Sequence, residues 1–344
     1  MGFRRRGSAA DDPRAIDVTF KKRQRTACRS TRNTICLAAI IGLPMPIDPM
    51  LPATHALGVS AATVVVLFRP SSDDLANLIQ MADWGQDVIA VINSCDAALS
   101  ERLPLSTRIF YIRNTDNLGL AHALNQGLAA AFEQGADYVL LLDQDSRPDA
   151  VMRDRLVAVA AELEAAGRHV GCVAPALIDR KLADANVGSS DLHRSTKGTL
   201  ATSGTLIPRA AWHKVGPMWE DLFIDGIDHE WCFRARDRGF ETVVSPGIVM
   251  EHDMGEGAIN FFGRFKPIHR SAVRHYFIVR NTLWLAGRGY IPLGWRASEL
   301  LKLSYRIPAY LFFSTDKPRS ARNLIRAFAD GLRSPSIASA GRFS

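Results

Sequence analysis

The chain has 344 residues, 47% of them hydrophobic, which is enough for one large core or two small ones and unlike a disordered or fibrous protein. Its formal charge of +7 is unevenly placed: residues 1–32 carry +7, residues 33–256 carry −12 and residues 257–344 carry +12. A nucleic-acid reader needs its positive charge on the folded domain, so the acidic centre excludes that class; it suits a cation, and the basic ends suit an anionic membrane surface or solvent.

Residues 1–32 are Arg-rich and aperiodic and are expected to be disordered. The uncharged stretch Ile35–Ile47 has 13 residues and two prolines, too short for a bilayer span of about 20 apolar residues. Residues 1–62 therefore read as a basic leader and linker, with translation starting at Met45 or Met50 as one expectation, and the fold begins at Thr63. Cys28, Cys36, Cys95, Cys172 and Cys232 form no C-x-x-C pair, which points to a reducing cytoplasm rather than a disulfide framework or zinc site.

From Thr63 the chain alternates buried strands with helices. Thr63–Phe68 is a β-branched strand, and Ser72 before Asp73 and Asp74 caps a helix with Leu75, Leu78, Ile79 and Ala82 on its apolar face. Strands follow at Val88–Ile92, Arg108–Ile112 and Tyr138–Leu142, with helices at 117–134 and 149–166. This pattern predicts an α/β fold with a mostly parallel sheet covered on both faces. Neither G-x-G-x-x-G nor a P-loop occurs, so a phosphate must be held by metal and side chains.

The apolar run Tyr138–Leu142 stops on Asp143-Gln144-Asp145-Ser146. Ligands of open parallel sheets bind outside the carboxyl ends of the strands, which places these carboxylates at a site. Two carboxylates so close repel, and a divalent cation relieves them; Mg²⁺ takes one or two and completes its shell with water and phosphate. On these residues alone, a polar turn in which Asp145 or Ser146 caps the next helix is an equal reading.

A larger ordered set of motifs resembles the inverting family 2 glycosyltransferases of GT-A fold, especially bacterial rhamnosyltransferases that use dTDP-rhamnose. The set comprises Val65–Pro70, Asn117–Ala121 with Asn125–Gly127, Leu142–Ser146, Thr202–Ile207, Leu222–Arg234, His252–Glu256 and His269 through Asn281. The resemblance implies a catalytic domain at 63–281. It implies that Asp145 binds Mg²⁺ or Mn²⁺ on the donor diphosphate, with Asp143 near the ribose or sharing that load, and His252 as third metal ligand or phosphate contact. Asp228 is the implied general base, with Asp225 and Glu230 as second choices or acceptor contacts and Trp231 as an acceptor platform. For Asp225 and Glu230 a helix N-terminal charge, and for Trp231 a core aromatic, are the competing readings. Ser203 and Gly204 should bring backbone close to the sugar, and Arg270 and Arg274, one helical turn apart, can face one diphosphate. The sequence departs from the family at Ile92, where an Asp usually lies near the nucleobase, so Phe68, Arg69 and Asn117 are left to carry more of the base recognition.

Residues 282–344 interleave basic and aromatic side chains without an uncharged span, predicting a helical region at the cytoplasmic face of the membrane, where a glycan or lipid-linked glycan acceptor is presented. A helical cap packed on the sheet is the competing reading. UDP- or GDP-linked sugars are alternative donors. A D-x-D phosphatase of the haloacid dehalogenase type lacks its later Lys and acidic motif here, and a basic-tailed membrane adaptor leaves the acidic motifs unused.

Overall fold

The computed structural model describes residues 58–94, 99–178, 194–195, 198–251, 258–261, 264–267 and 271–333. In its first half, β1 (Ala61–Leu67), β2 (Asp87–Ile92), β3 (Ile109–Arg113) and β4 (Tyr138–Asp143) alternate with α1 (Ser72–Asp83), the short α2 (Leu99–Arg102) and α3 (Leu120–Glu133). β1 pairs in parallel with both β2 and β4, and β2 with β3. Strand order thus reverses between β1 and β4, the kind of switch point where a crevice opens at the carboxyl ends. β1 starts at Ala61, two residues ahead of the expected Thr63. The cap of α1 is Ser71 rather than Ser72: its hydroxyl accepts from Asp74 N while the Asp74 carboxylate accepts from Ser71 N, a reciprocal box that Ser72 cannot form from inside the helix.

The second half contributes α4 (Met152–Ala165), β5 (Val170–Ile178), β6 (Arg194–Ser195), β7 (Leu206–Pro208), α5 (Arg209–Val215), α6 (Ile227–Asp237) and β8 (Glu241–Glu251). The eight-stranded sheet runs β3-β2-β1-β4-β7-β5-β8-β6. β7 lies antiparallel between β4 and β5, and β6 antiparallel on β8, so the sheet is mixed with a parallel majority. Its two faces explain the unbroken apolar strands. Val64, Val66, Val139 and Leu141 pack under α3 and α6, while Val65, Leu67, Leu140 and Leu142 pack under α1 and α4.

An antiparallel pair, β9 (Ala258–Phe261) and β10 (Arg264–Pro267), precedes three helices, α7 (Ala272–Ala286), α8 (Leu293–Phe313) and α9 (Lys317–Leu332). Val279, Leu303, Tyr310, Leu324 and Ala327 form a separate small core among them. α7 runs unbroken through position 281, where the sequence places the start of the C-terminal region. No helix among the described residues is long and apolar enough to cross a membrane.

Candidate active site

The carboxyl ends of β1, β2 and β4 form one rim. Phe68, just past β1, is 42% exposed, and its backbone N donates to Gln144 Oε1 at 2.8 Å, which ties the β1 end to the Asp143-Gln144-Asp145 turn. Arg69 follows with φ +50°, its guanidinium 5.3 Å from the Phe68 ring centre. Asp143 is half-buried and Asp145 exposed, and Asp145 makes no hydrogen bond or ion pair to any described residue. Hard carboxylate oxygens at the end of a strand fit a hard divalent cation. Among the described residues no group of three His, Cys, Asp or Glu side chains gathers, so the donors fit an open site completed by water and substrate oxygens, not a closed protein cage. His252 lies outside the described residues.

Ser203 and Gly204 serve this turn differently from expectation. The Ser203 hydroxyl accepts from Asp143 N at 3.2 Å and bonds the Ser146 hydroxyl, so it braces the carboxylate turn from within, at 2% exposure. Gly204 N already donates to Leu141 O at 2.8 Å. Its glycine is required by φ +84° and by Met250 and Pro175, which a Cβ would meet at 2.9 and 3.1 Å. Core packing, rather than approach of a sugar, accounts for it.

At the end of β2, Ile92 is buried among core side chains. Asn93 is the organising residue there, and sequence reasoning missed it. Its amide donates to Asn117 Oδ1 and to Gly119 O, each at 3.1 Å, and its Oδ1 accepts from Leu118 N at 3.0 Å and Asn114 Nδ2 at 3.2 Å. Asn117 also accepts from Gly119 N at 3.0 Å, so its oxygen shapes the turn into α3 while the residue stays exposed at the rim. The only cue was its place directly after a buried strand.

The first N–H groups of α3 are spent on protein. Leu120 N and Ala121 N both point at Phe223 O, at 2.6 and 3.4 Å, so this helix start is not a phosphate cradle. Gly119, at φ +91°, lets the Phe223 ring lie against it; a Cβ there would stand 2.6 Å from a ring carbon. Through Gly119 the rim is joined to the turn that precedes α6.

That turn, residues 221–226, is strained. Phe223 and Asp225 have φ of +64° and +63°, and with Arg69 they are the non-glycine residues of positive φ among those described. α7 holds it shut. Asn281 Nδ2 donates to Leu222 O, Ile224 O and Asp225 O at 2.9, 2.7 and 2.8 Å. Arg280 donates to Asp221 O at 2.5 Å and lies 4.0 Å from the Trp284 ring centre, and Phe277 stacks on Phe223 at 4.7 Å. Asp225, expected to meet an acceptor, is bound bidentately by Arg274 at 2.9 and 3.1 Å. Arg274 is therefore committed to Asp225 rather than turned with Arg270 toward a diphosphate; Arg270 lies outside the described residues.

In the first turn of α6, Asp228 is half-buried and accepts from His229 N at 2.8 Å. Glu230 and Trp231 are corrected by their burial, each 2% exposed. Glu230 accepts from Arg234 at 2.7 and 2.8 Å and from the Tyr290 hydroxyl at 2.7 Å. Trp231 packs in the core and donates to Gly216 O at 2.9 Å. Neither side chain is presented to an acceptor.

Residues 73–197 match the family model described as glycosyl transferase family 2. Over 296 residues the chain is 27% identical to the dTDP-rhamnosyl transferase RfbF of Shigella flexneri, an alignment that covers 82% of this chain and 97% of that protein. Two structures of S. aureus TarS 1-349 are similar at 13% identity: one covers 80% of both chains with TM-score 0.45, and the other, in complex with UDP-GlcNAc, covers 82% of this chain and 83% of its own with TM-score 0.46. Over residues 73–197 the chain is thus similar to glycosyltransferase family 2, on a mixed, mostly parallel eight-stranded α/β sheet.

Proposed function

We propose that the protein moves L-rhamnose from dTDP-rhamnose to a hydroxyl of a lipid-linked glycan acceptor, with inversion, in surface polysaccharide or O-antigen synthesis. The observation that carries this reading is the link between two acidic turns: Asp143 and Asp145 at the β4 end, and Asp228 after the clamped turn, whose Phe223 O accepts from Leu120 N at the start of α3. The rhamnosyl part rests on the similarity to the Shigella flexneri enzyme along almost its whole length.

In this reading Asp143 and Asp145 hold Mg²⁺ or Mn²⁺, which supplies positive charge against the diphosphate as it departs. The exposed Phe68 ring, Arg69 and Asn117 bind the nucleoside, replacing the missing Asp at Ile92. Asp228 takes the proton from the acceptor hydroxyl, whose oxygen bonds to the anomeric carbon as the bond to the diphosphate oxygen breaks. One displacement inverts that carbon and leaves no covalent enzyme intermediate. Proton removal of this kind is worth roughly 10²–10⁴-fold in rate.

Attachment to the cytoplasmic face of the membrane belongs to the same proposal. Exposed apolar side chains recur along α8 at helical spacing, with Leu293 72%, Leu301 73% and Phe312 71% exposed, and along α9 at Ile325, 71%, and Leu332, 78%. Lys317, Arg319, Arg322 and Arg326 accompany them on α9. Apolar surface ringed by cations fits an anionic leaflet. A second copy would bring the same positive charge and is disfavoured.

The burial of Ile92 favours one second reading, a UDP- or GDP-linked donor. Release of nucleoside diphosphate from dTDP-rhamnose, UDP-sugars and GDP-sugars, each with Mg²⁺ and a lipid-linked acceptor preparation, separates the two. The proposal expects dTDP release dependent on both metal and acceptor. Release of UDP or GDP alone would transfer the donor assignment to that nucleotide.

A further inference from the structure

Beside the acidic turn, α6, α7 and α8 surround a cavity of about 180 Å³, lined among others by Asp225, His229, Trp295, Glu299, Arg306 and Tyr310. It has room for on the order of a dozen water-sized groups, about the heavy-atom count of one hexose. Asp228 is not on its wall, but His229, the next residue, is.

Tyr310 is 7% exposed and stacks on His275 with ring centres 4.1 Å apart, yet its hydroxyl makes no hydrogen bond to any described residue. Tyr310 lines the cavity, so this hydroxyl is free to donate to and accept from a ligand there. Burial pushes this phenol up to about 12, so it stays neutral and can both donate and accept. Trp295 places its ring against His229 at 5.4 Å and Phe233 at 5.1 Å, and its indole N–H likewise has no partner among the described residues. Glu299 is held by Lys302 at 2.5 Å and Arg306 at 2.9 Å, and Asp225 by Arg274, leaving carboxylate lone pairs on the cavity wall. Burial works to raise Glu299, but these two cations outweigh it and keep its pKa below the ordinary carboxylate value.

The charge sorts the ligand classes. Asp225 and Glu299 are already paired with Arg274, Lys302 and Arg306, so these cations are spent on the protein's own carboxylates and not offered to a nucleoside diphosphate or a lipid phosphate. Unpartnered neutral donors, spare carboxylate lone pairs and an aromatic wall suit a neutral polyol. We infer that this cavity is an acceptor subsite that seats one sugar ring of the glycan, with Tyr310, Trp295 and Glu299 as its specificity-determining contacts. The inference rests on the glycosyltransferase reading and adds α8 to the site.

Saturation-transfer NMR on the full chain, with the methyl glycosides of rhamnose, glucose, galactose and N-acetylglucosamine as probes and dTDP with Mg²⁺ measured in parallel, tests it. At least one glycoside should bind alongside dTDP, and Tyr310→Phe should weaken it roughly two- to tenfold, the worth of one hydrogen bond, with dTDP binding unchanged. Should Tyr310→Phe not fold, Trp295→Phe and Glu299→Gln make the same comparison. Binding of dTDP with no glycoside response, or a glycoside signal indifferent to all three variants, overturns the subsite and leaves the transferase reading standing. Absence of both signals overturns the two together.

Discussion

The rim at the ends of β1, β2 and β4 and the turn at residues 221–226 both carry carboxylates, and they treat them in opposite ways. On the rim, Asp145 is exposed and without a described partner, while the side chains of Gln144 and Ser203 accept from Phe68 N and Asp143 N and so brace the turn around it. In the turn, Asp225 is locked to Arg274, and Asn281 and Arg280 reach from 55 to 60 residues away to tie down the backbone carbonyls. A carboxylate left unpaired is available to a ligand, while a paired one shapes the protein. Under the proposed function, the first region would hold the donor and the second would fix where Asp228 stands. Backbone strain accompanies both, at Arg69 on one side and at Phe223 and Asp225 on the other, each costing on the order of 1–3 kcal/mol.

Breaking the chemistry without either scaffold gives the largest effect. Asp228→Asn should lower transfer roughly 10²–10⁴-fold while nucleotide binding and melting temperature hold, as measured by product formation beside calorimetry. Retained transfer would remove Asp228 as base. Next in size is the clamp. Asn281→Ala strips three carbonyls, one of them fully buried, of their donor and should cost about 3 kcal/mol of stability by denaturant unfolding, with kcat falling more than donor KM rises. An equally stable, fully active variant would show that the strained turn holds itself. On the rim, Asp145→Asn should leave the unliganded stability within about 0.5 kcal/mol of the parent and abolish the metal-dependent part of nucleotide binding. Smallest in stability is the exposed α8 stripe. Leu301→Ser with Phe312→Ser should change folding by about 0.5 kcal/mol or less, yet move the protein out of the membrane fraction, since each apolar side chain contributes about 1.5–3 kcal/mol when buried in lipid. Unchanged membrane partition would remove that face from the account.

How much of this was legible in the sequence follows the same division. The strands were readable because both faces of β1 and β4 are covered, so Val64–Leu67 and Val139–Leu142 carry unbroken apolar runs. Asp143 and Asp145 were readable because the run stops on them. Burial of Glu230 was not readable: it depends on Arg234 one turn away and on Tyr290, 60 residues on. The clamp was visible only as the string Arg280-Asn281, since its targets are backbone carbonyls, which no side-chain pattern reveals. The antiparallel β7 escaped notice because three residues are too few to show a period.

The central claim is that the rim binds a nucleoside diphosphate through a cation held by Asp143 and Asp145. Thermal unfolding of the full chain with dTDP, UDP, GDP or phosphate, each with and without Mg²⁺ or Mn²⁺, tests it most directly. A site saturated at 100 times its dissociation constant adds about 2.7 kcal/mol. The account predicts stabilisation by dTDP that requires the metal and is lost in Asp145→Asn. Stabilisation by phosphate alone, with none of the nucleotides acting, would contradict it.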